Sequence, residues 1–274
     1  MNHSYYAPIG GLPKQSERLY APAVFTPAYA VIPASVMTDI VTSQLPLWSG
    51  TRAWIIARPL SGFAETFAQL IVELAPGGGS TEPEPNPKGE AVIFVVKGEL
   101  TLTLQDKEAT LSPGGYAFIA PGESWSVVNK SEEAAVFHWV RKEYEPVSGI
   151  EAPKSFITSD HSKTAIAMPD TAGKWATTRF VEPEDLRHDM HVNIVTFQPG
   201  GVIPFAETHV MEHGLYVLQG TARYLLNTDW VDVGPGDFMW LRAFCPQACE
   251  ATGKQPFRYL LYKDVNRHPK LRIG

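Results

Sequence analysis

The chain carries two copies of one sequence pattern, and this repeat constrains its fold more than any other feature. Residues 77–104 and 199–226 align without a gap at a separation of 122 positions, so that Gly98 and Gly220 close equivalent turns. The apolar runs in both copies are short, are rich in Val, Ile, Leu, Phe and Tyr, and end at Gly, Pro or Asn. This pattern is typical of short strands joined by tight turns. The sequence therefore predicts a duplicated all-β domain.

The length and the punctuation of the chain predict two domains. The 274 residues are enough for two ordinary domains. Residues 146–176 are rich in Pro, Ser, Thr and Ala, and we interpret this segment as the linker. We therefore place an N-terminal domain at residues 1–150 and a C-terminal domain at residues 151–274.

Charge and composition exclude several classes of partner. The formal net charge is -6 and the pI is about 5.8, which argues against binding to nucleic acid but allows a small anionic substrate. The sequence shows no signal peptide and no run near the roughly 20 apolar residues of a membrane span. Cys245 and Cys249 are predicted to be inert free thiols, which suits a reducing compartment. We therefore predict a cytoplasmic protein without a membrane partner.

The C-terminal copy contains a set of side chains that can hold a metal ion. Glu207, His209 and His213 are separated by even numbers of residues, so that on a strand they would share one face. Gln247 lies on another predicted strand and could add an amide oxygen. A lone His-x-His at a surface usually has no function, but the fold is otherwise apolar here, and a buried charge must be paired or bound to metal. The pattern predicts one divalent metal site in the C-terminal domain.

The two copies resemble the paired motifs of the cupin family, which contribute two His and a Glu and then a third His after a Pro-Gly turn. In this chain Glu207 and His209 stand at the first two His positions. His213 stands at the usual Glu position and Gln247 at the last His. This altered order, most of it within ETHVMEHGLYVLQG, resembles the (S)-ureidoglycine aminohydrolases, which are manganese bicupins of purine (allantoin) degradation. Some of them carry the older label of glyoxylate-induced protein.

The resemblance implies both a fold and a reaction. The fold would be all-β, a bicupin of two tandem jelly-roll (double-stranded β-helix) barrels, and the protein would be a homo-oligomer. The reaction would be hydrolysis of (S)-ureidoglycine to (S)-ureidoglycolate with release of ammonia, on a C–N bond that is not a peptide bond, in a linear amidine. Mn²⁺ would be the cofactor, although oxygen and imidazole ligands also accept Fe²⁺, Co²⁺ or Zn²⁺.

The resemblance also assigns substrate contacts to Tyr224, Tyr259 and Lys263, together with Glu207. Each has an ordinary alternative, because tyrosines often fill barrel interiors and a Lys near a strand end usually extends into water. Glu207 could act as metal ligand and proton acceptor. Lys263 could pair with the substrate carboxylate or protonate the leaving amine. The sequence leaves these catalytic roles open. His191 is a further candidate for an inward-facing side chain, and we interpret it as a structural histidine.

The N-terminal copy serves as an internal control. The positions that correspond to the four metal ligands cannot bind metal; they are Pro85, Pro87, Ala91 and Trp125. Glu82, Glu84 and Glu90 lie nearby but out of register, and we expect them to form a solvated acidic loop. We therefore expect the N-terminal barrel to be structural and free of metal.

Two other functions stay open from the sequence. Two His and a carboxylate also bind Fe²⁺ in cupin dioxygenases, although Gln247 would fill one position there. A non-catalytic binding module is the second alternative. The polar residues Tyr224, Tyr259 and Lys263 disfavour it, because inert barrels fill their interiors with apolar side chains.

Overall fold

The computed structural model describes residues 22–59, 63–265 and 267, and strands dominate these residues. The helical segments within them are short 3-10 turns at Ala34–Val36, Asp39–Val41 and Asp160–Ser162. The first eleven strands are β1 (Val24–Phe25), β2 (Tyr29–Ile32), β3 (Ser49–Ala57), β4 (Ala68–Ser80), β5 (Gly89–Lys97), β6 (Leu100–Leu104), β7 (Lys107–Leu111), β8 (Gly115–Ile119), β9 (Trp125–Val128), β10 (Ala135–Glu143) and β11 (Phe156–Ser159). The remaining strands are β12 (Ile166–Ala167), β13 (Trp175–Thr178), β14 (Met190–Phe197), β15 (His213–Gln219), β16 (Ala222–Leu226), β17 (Asp229–Val233), β18 (Phe238–Leu241), β19 (Gln247–Ala251) and β20 (Phe257–Asp264). The predicted all-β class is confirmed.

The sequence repeat reappears as a repeat of strand pairing. In the N-terminal half β10 pairs with β4 and β5, and β6 pairs with β7 and β9. In the C-terminal half β20 pairs in the same way with β14 and β15, and β16 with β17 and β19. Gly98 and Gly220 have φ values of +66° and +72°, and an added Cβ would lie 2.6 and 2.4 Å from a backbone oxygen. The equivalent turns therefore require glycine in both copies.

Three apolar cores hold the protein together. One fills the N-terminal barrel and one fills the C-terminal barrel. The third lies between the 9-stranded sheet of the N-terminal half and the 8-stranded sheet of the C-terminal half. Strand β14 shows how a strand serves two cores at once. Val192 and Ile194 face the layer between the barrels, whereas Val195 and Phe197 face the interior of the C-terminal barrel. Alternation of side chains along the strand produces this division.

The two halves exchange strands. The N-terminal strand β2 pairs with β18 of the C-terminal sheet, and β11 pairs with β8 of the N-terminal sheet. The predicted linker, residues 146–176, therefore contains β11 and also β12, which pairs with β13. The boundary at residue 150 stays a prediction, and hydrogen-bonded strands cross it in both directions.

The interior of the N-terminal barrel is apolar at positions equivalent to candidate site residues of the C-terminal copy. Ala91 and Trp125, which correspond to two of the candidate ligands, lie in its core. So do Leu102 and Phe137, which correspond to Tyr224 and Tyr259. The two copies thus share a pattern of strands and turns but differ in the side chains that fill the barrel interior.

The expected solvated acidic loop is wrong for two of its three members. Glu82 is exposed, but Glu84 forms an ion pair with Arg141, with 2.6 Å between Oε2 and Nε. Glu90 is completely buried, and burial and the neighbouring Asp189 raise its pKa well above the usual value. The local composition suggests a loop, whereas β5 already begins at Gly89 and carries Glu90 into the layer between the halves.

Both cysteines, Cys245 and Cys249, are free and buried, as predicted. No helix in the described part of the chain has the length and hydropathy that crossing a membrane requires.

Candidate metal and substrate site

The candidate ligands are held by a short segment that runs beside β19. Glu207 and Gln247 form an isolated antiparallel bridge and exchange two backbone hydrogen bonds of 2.9 Å. The backbone oxygen of His209 accepts a further bond from the Phe244 N–H. The sequence predicted a strand through Glu207 and His209, and this prediction is wrong. Pro204 cannot donate to a strand ladder, and the segment pairs at single points instead.

The bridge nevertheless brings the predicted donors to one place. Glu207 and Gln247 are directly opposed, so their side chains lie on the same side of the pair. The His209 Nε2 atom lies 3.4 Å from Glu207 Oε1, and the His209 and His213 ring centroids are 5.2 Å apart. All four residues line one cavity of about 150 Å³.

The donor set fits a divalent cation by its chemistry. Two neighbouring ligands of an octahedral cation are about 3 Å apart, and the contact between Glu207 and His209 is close to that value. Burial, His209 and Lys263 lower the pKa of His213 to about 3, so its imidazole is neutral, as a ligand must be. As the side chains stand, no three His, Cys, Asp or Glu groups among the described residues are close enough to enclose an ion. The Gln247 amide oxygen accepts a hydrogen bond from the Tyr224 hydroxyl instead.

The three polar residues assigned to the substrate occupy different depths. Lys263 and Tyr259 line the cavity on strand β20, as their shared strand face predicts. Tyr224 is fully buried behind them. Its hydroxyl lies 3.0 Å from Gln247 Oε1 and 3.4 Å from the Tyr259 hydroxyl. The structure thus brings all the predicted site residues together, with Tyr224 supporting Gln247 and not forming the wall.

Lys263, to which the sequence analysis assigned a substrate contact, is a cation in the wall of this cavity. It stands in register between His191 on β14 and His213 on β15. Burial and the nearby charge of Arg179 lower the pKa of Lys263. Burial likewise lowers the pKa of His191 to about 4, so both flanking imidazoles are neutral. Lys263 makes no ion pair with any described residue, which leaves its ammonium group available to an anion.

Sequence reasoning missed three polar residues in the wall, which are Thr177, Arg179 and Asn193. Arg179 follows β13, and Asn193 lies on β14, two residues after His191. Asn193 shares the strand face of His191 within DMHVNIVTF, and this alternation was the one available signal. His191 itself is buried and faces inward beside Lys263, but it does not line the cavity.

One further residue ties the site to the N-terminal half. Glu212, which directly precedes His213, is buried. Its carboxylate accepts hydrogen bonds from the backbone N–H groups of Glu65 and Thr66, at 2.6 and 2.9 Å, and from the Trp240 indole. The N-terminal half therefore contributes to the placement of a candidate ligand.

Comparison with known proteins agrees with this architecture. The cupin domain family matches residues 70–141 and 193–262. The chain is 30% identical to the (S)-ureidoglycine aminohydrolase of Escherichia coli, over 83% of this chain and 86% of that protein. It is 31% identical to the (S)-ureidoglycine aminohydrolase of Arabidopsis thaliana, over 84% of this chain and 74% of that protein.

A solved structure extends the comparison to the fold. The crystal structure of a glyoxylate-induced protein from Pseudomonas aeruginosa is 62% identical, covers 99% of each chain and superposes with a TM-score of 0.93. Two cupin domains in one chain define a bicupin. Within the bicupins the chain belongs to the (S)-ureidoglycine aminohydrolase family of enzymes.

Proposed function

We propose that this protein is a metal-dependent hydrolase that converts (S)-ureidoglycine and water into (S)-ureidoglycolate and ammonia, and that it acts in purine (allantoin) degradation. The observation that carries the proposal is the pairing of two features in one cavity. The donors Glu207, His209, His213 and Gln247 line the same cavity as Lys263, whose ammonium forms no ion pair with any described residue. The names of the relatives support the same reaction.

We propose that the four donors hold Mn²⁺. Two oxygen and two imidazole donors suit this ion, and thiolate ligands, which would favour softer metals, do not line the cavity. A bound divalent cation would act as a Lewis acid and orient the substrate. The Tyr224 hydroxyl would keep the Gln247 amide oriented, as outer hydrogen bonds do for metal ligands in general.

Individual side chains of the cavity bind the substrate, transfer the proton and exclude water. The Lys263 ammonium binds the substrate carboxylate. Because the protein carries a net negative charge, a local cation is needed to attract this anion. Glu207 accepts a proton from the attacking water while the new C–O bond forms. The C–N bond to the amine breaks, and the same proton passes to the departing nitrogen, so that ammonia leaves. Tyr259 closes the wall beside Lys263 and limits the entry of other water molecules.

Ammonia release tests the proposal directly. Protein loaded with Mn²⁺ should release ammonia from (S)-ureidoglycine without consuming oxygen, and chelation should abolish the activity until Mn²⁺ is restored. His209→Ala should lose the activity, whereas His161→Ala, which changes an exposed histidine outside the cavity, should retain it. Absence of ammonia would refute the reaction, and activity that survives complete chelation would refute metal dependence. Oxygen consumption would instead indicate a cupin dioxygenase.

We further propose that the protein works in the cytoplasm as a homo-oligomer. The net charge of -6 and the buried free thiols support a reducing aqueous compartment. Light scattering of the purified protein tests the oligomer, and a monomer at micromolar concentration would contradict it.

A further inference from the structure

The wall of the cavity contains a buried polar group that the proposed chemistry does not use. Asn193 is 4% exposed, and its Oδ1 atom has no hydrogen-bond partner among the described residues. The side chain lines the same cavity as Lys263 and the candidate ligands. Buried polar groups in folded proteins are nearly always hydrogen-bonded, so an exception in a cavity wall indicates a partner that arrives with the ligand.

The duplicated half shows that the fold does not need a polar residue here. Lys263 and Arg141 are equivalent positions, and two residues earlier Leu261 corresponds to Trp139. Asn193 pairs with Leu261 in the C-terminal sheet, and Leu70 pairs with Trp139 in the N-terminal sheet. Leu70 lies in an apolar core. The same place in the architecture is therefore filled by a leucine where there is no site and by an asparagine where there is one.

The register of the sheet sets the position of Asn193 relative to Lys263. His191, Lys263 and His213 form one row across β14, β20 and β15, and Asn193 lies in the next row on the same face. Two residues along a strand correspond to about 7 Å. Lys263 thus places a cation in one row of the cavity wall, and the neutral amide of Asn193 lies one row away from it.

This spacing matches a substrate with an anionic end and an amide-like end. We propose that Asn193 binds the terminal carbamoyl group of the ureido substituent and so determines specificity for ureido acids; this inference rests on the proposed function. A carbamoyl group carries one C=O acceptor and one NH₂ donor, and the asparagine amide offers the complementary pair. The terminal torsion of asparagine is soft, so either end of the amide can turn toward the cavity. The carboxyl carbon and the terminal nitrogen of ureidoglycine are roughly 5 Å apart along an extended backbone, within the reach of both contacts.

Two stable analogues isolate this contact. N-carbamoylglycine and N-acetylglycine share the carboxylate and the acylated nitrogen, and they differ only in an NH₂ group against a methyl group. Their dissociation constants for Mn²⁺-loaded protein can be measured by calorimetry. The wild-type protein should prefer N-carbamoylglycine by about tenfold, the effect of one satisfied buried hydrogen bond. In Asn193→Leu and Asn193→Ala the preference should fall below about twofold.

The controls separate this inference from the proposed function. Leucine occupies the equivalent position 70, so Asn193→Leu is compatible with the fold, and the smaller alanine shows whether leucine merely blocks the cavity. Thr196→Val changes the opposite face of β14 and should keep the preference. If the wild type releases ammonia but does not discriminate the analogues, or if both Asn193 variants keep the preference, the assignment of Asn193 is wrong. If the wild type binds neither analogue and releases no ammonia, the proposed function fails first.

Discussion

The most demanding prediction about the site concerns the charge of Lys263. The change Lys263→Met removes the ammonium group and keeps most of the aliphatic length, so the packing of strand β20 should survive. Lys263 is half-buried, forms no ion pair with the described residues and stands between two neutral imidazoles. Glu207 and Asp264 act on its charge only from beyond ion-pair distance, so a ligand carboxylate would be its first direct ion-pair partner. Losing such a contact in a site that excludes water should cost about 2–4 kcal/mol of transition-state stabilisation.

This loss corresponds to a decrease of about 30- to 1000-fold in kcat/KM for ammonia release from (S)-ureidoglycine. The assay should be run on protein with matched metal content, because the change must leave metal binding and the thermal transition intact. Lys254→Met, at an exposed position in the turn before β20, is the matched control and should retain the wild-type rate. A near-normal rate in Lys263→Met at full metal loading would refute the reasoning. Lys263 would then have no part in binding the carboxylate.

Three further predictions concern the metal, the N-terminal barrel and the buried carboxyl pair. Gln247→Ala should weaken Mn²⁺ binding less than His209→Ala, because water can replace an amide oxygen; equal losses in a metal titration would contradict this. Trp125→Ala should lower the free energy of unfolding by about 3–5 kcal/mol, because the ring is buried in the N-terminal core, and metal per folded chain should not change. Glu90 has a raised pKa, so the folded state holds its proton and stability should fall as pH rises above the normal glutamate range, by at most about 1.4 kcal/mol per pH unit. Glu90→Gln should remove this part of the decline in denaturation experiments run from the normal glutamate range upward. An unchanged slope would show that Glu90 is ionised in the folded protein.

The fold could be predicted because its determinants are local and occur twice. Turn residues such as Gly98 and Gly220 and the short apolar runs recur at one register, and the strands follow them. The exchange of β2 into the C-terminal sheet could not be predicted in this way. Strand β2 is a short, continuous apolar run like several other strands, and only its packing against β18 in the folded protein selects its partner.

The site was predicted in part, and the missed residues have a common cause. Glu207 and His213 lie close together in sequence, whereas Asn193 reaches the cavity through a pairing of β14 with β20. The one local signal of Asn193, its shared strand face with His191, does not show that the side chain lines a cavity. Glu90 was misassigned for a similar reason, because its partner Asp189 comes from the other half of the chain. Long-range pairing and burial decide both cases, and neither is visible in local composition.

The location of bound metal tests the central claim most directly. Crystals of the protein loaded with Mn²⁺ should be measured at the manganese absorption edge, so that anomalous scattering identifies the ion and its position. We predict one peak per chain, within coordination distance of Glu207, His209, His213 and Gln247, and no peak in the N-terminal barrel. A peak in the N-terminal barrel, a second equally occupied peak, or a fully loaded protein without a peak at these four residues would contradict the account.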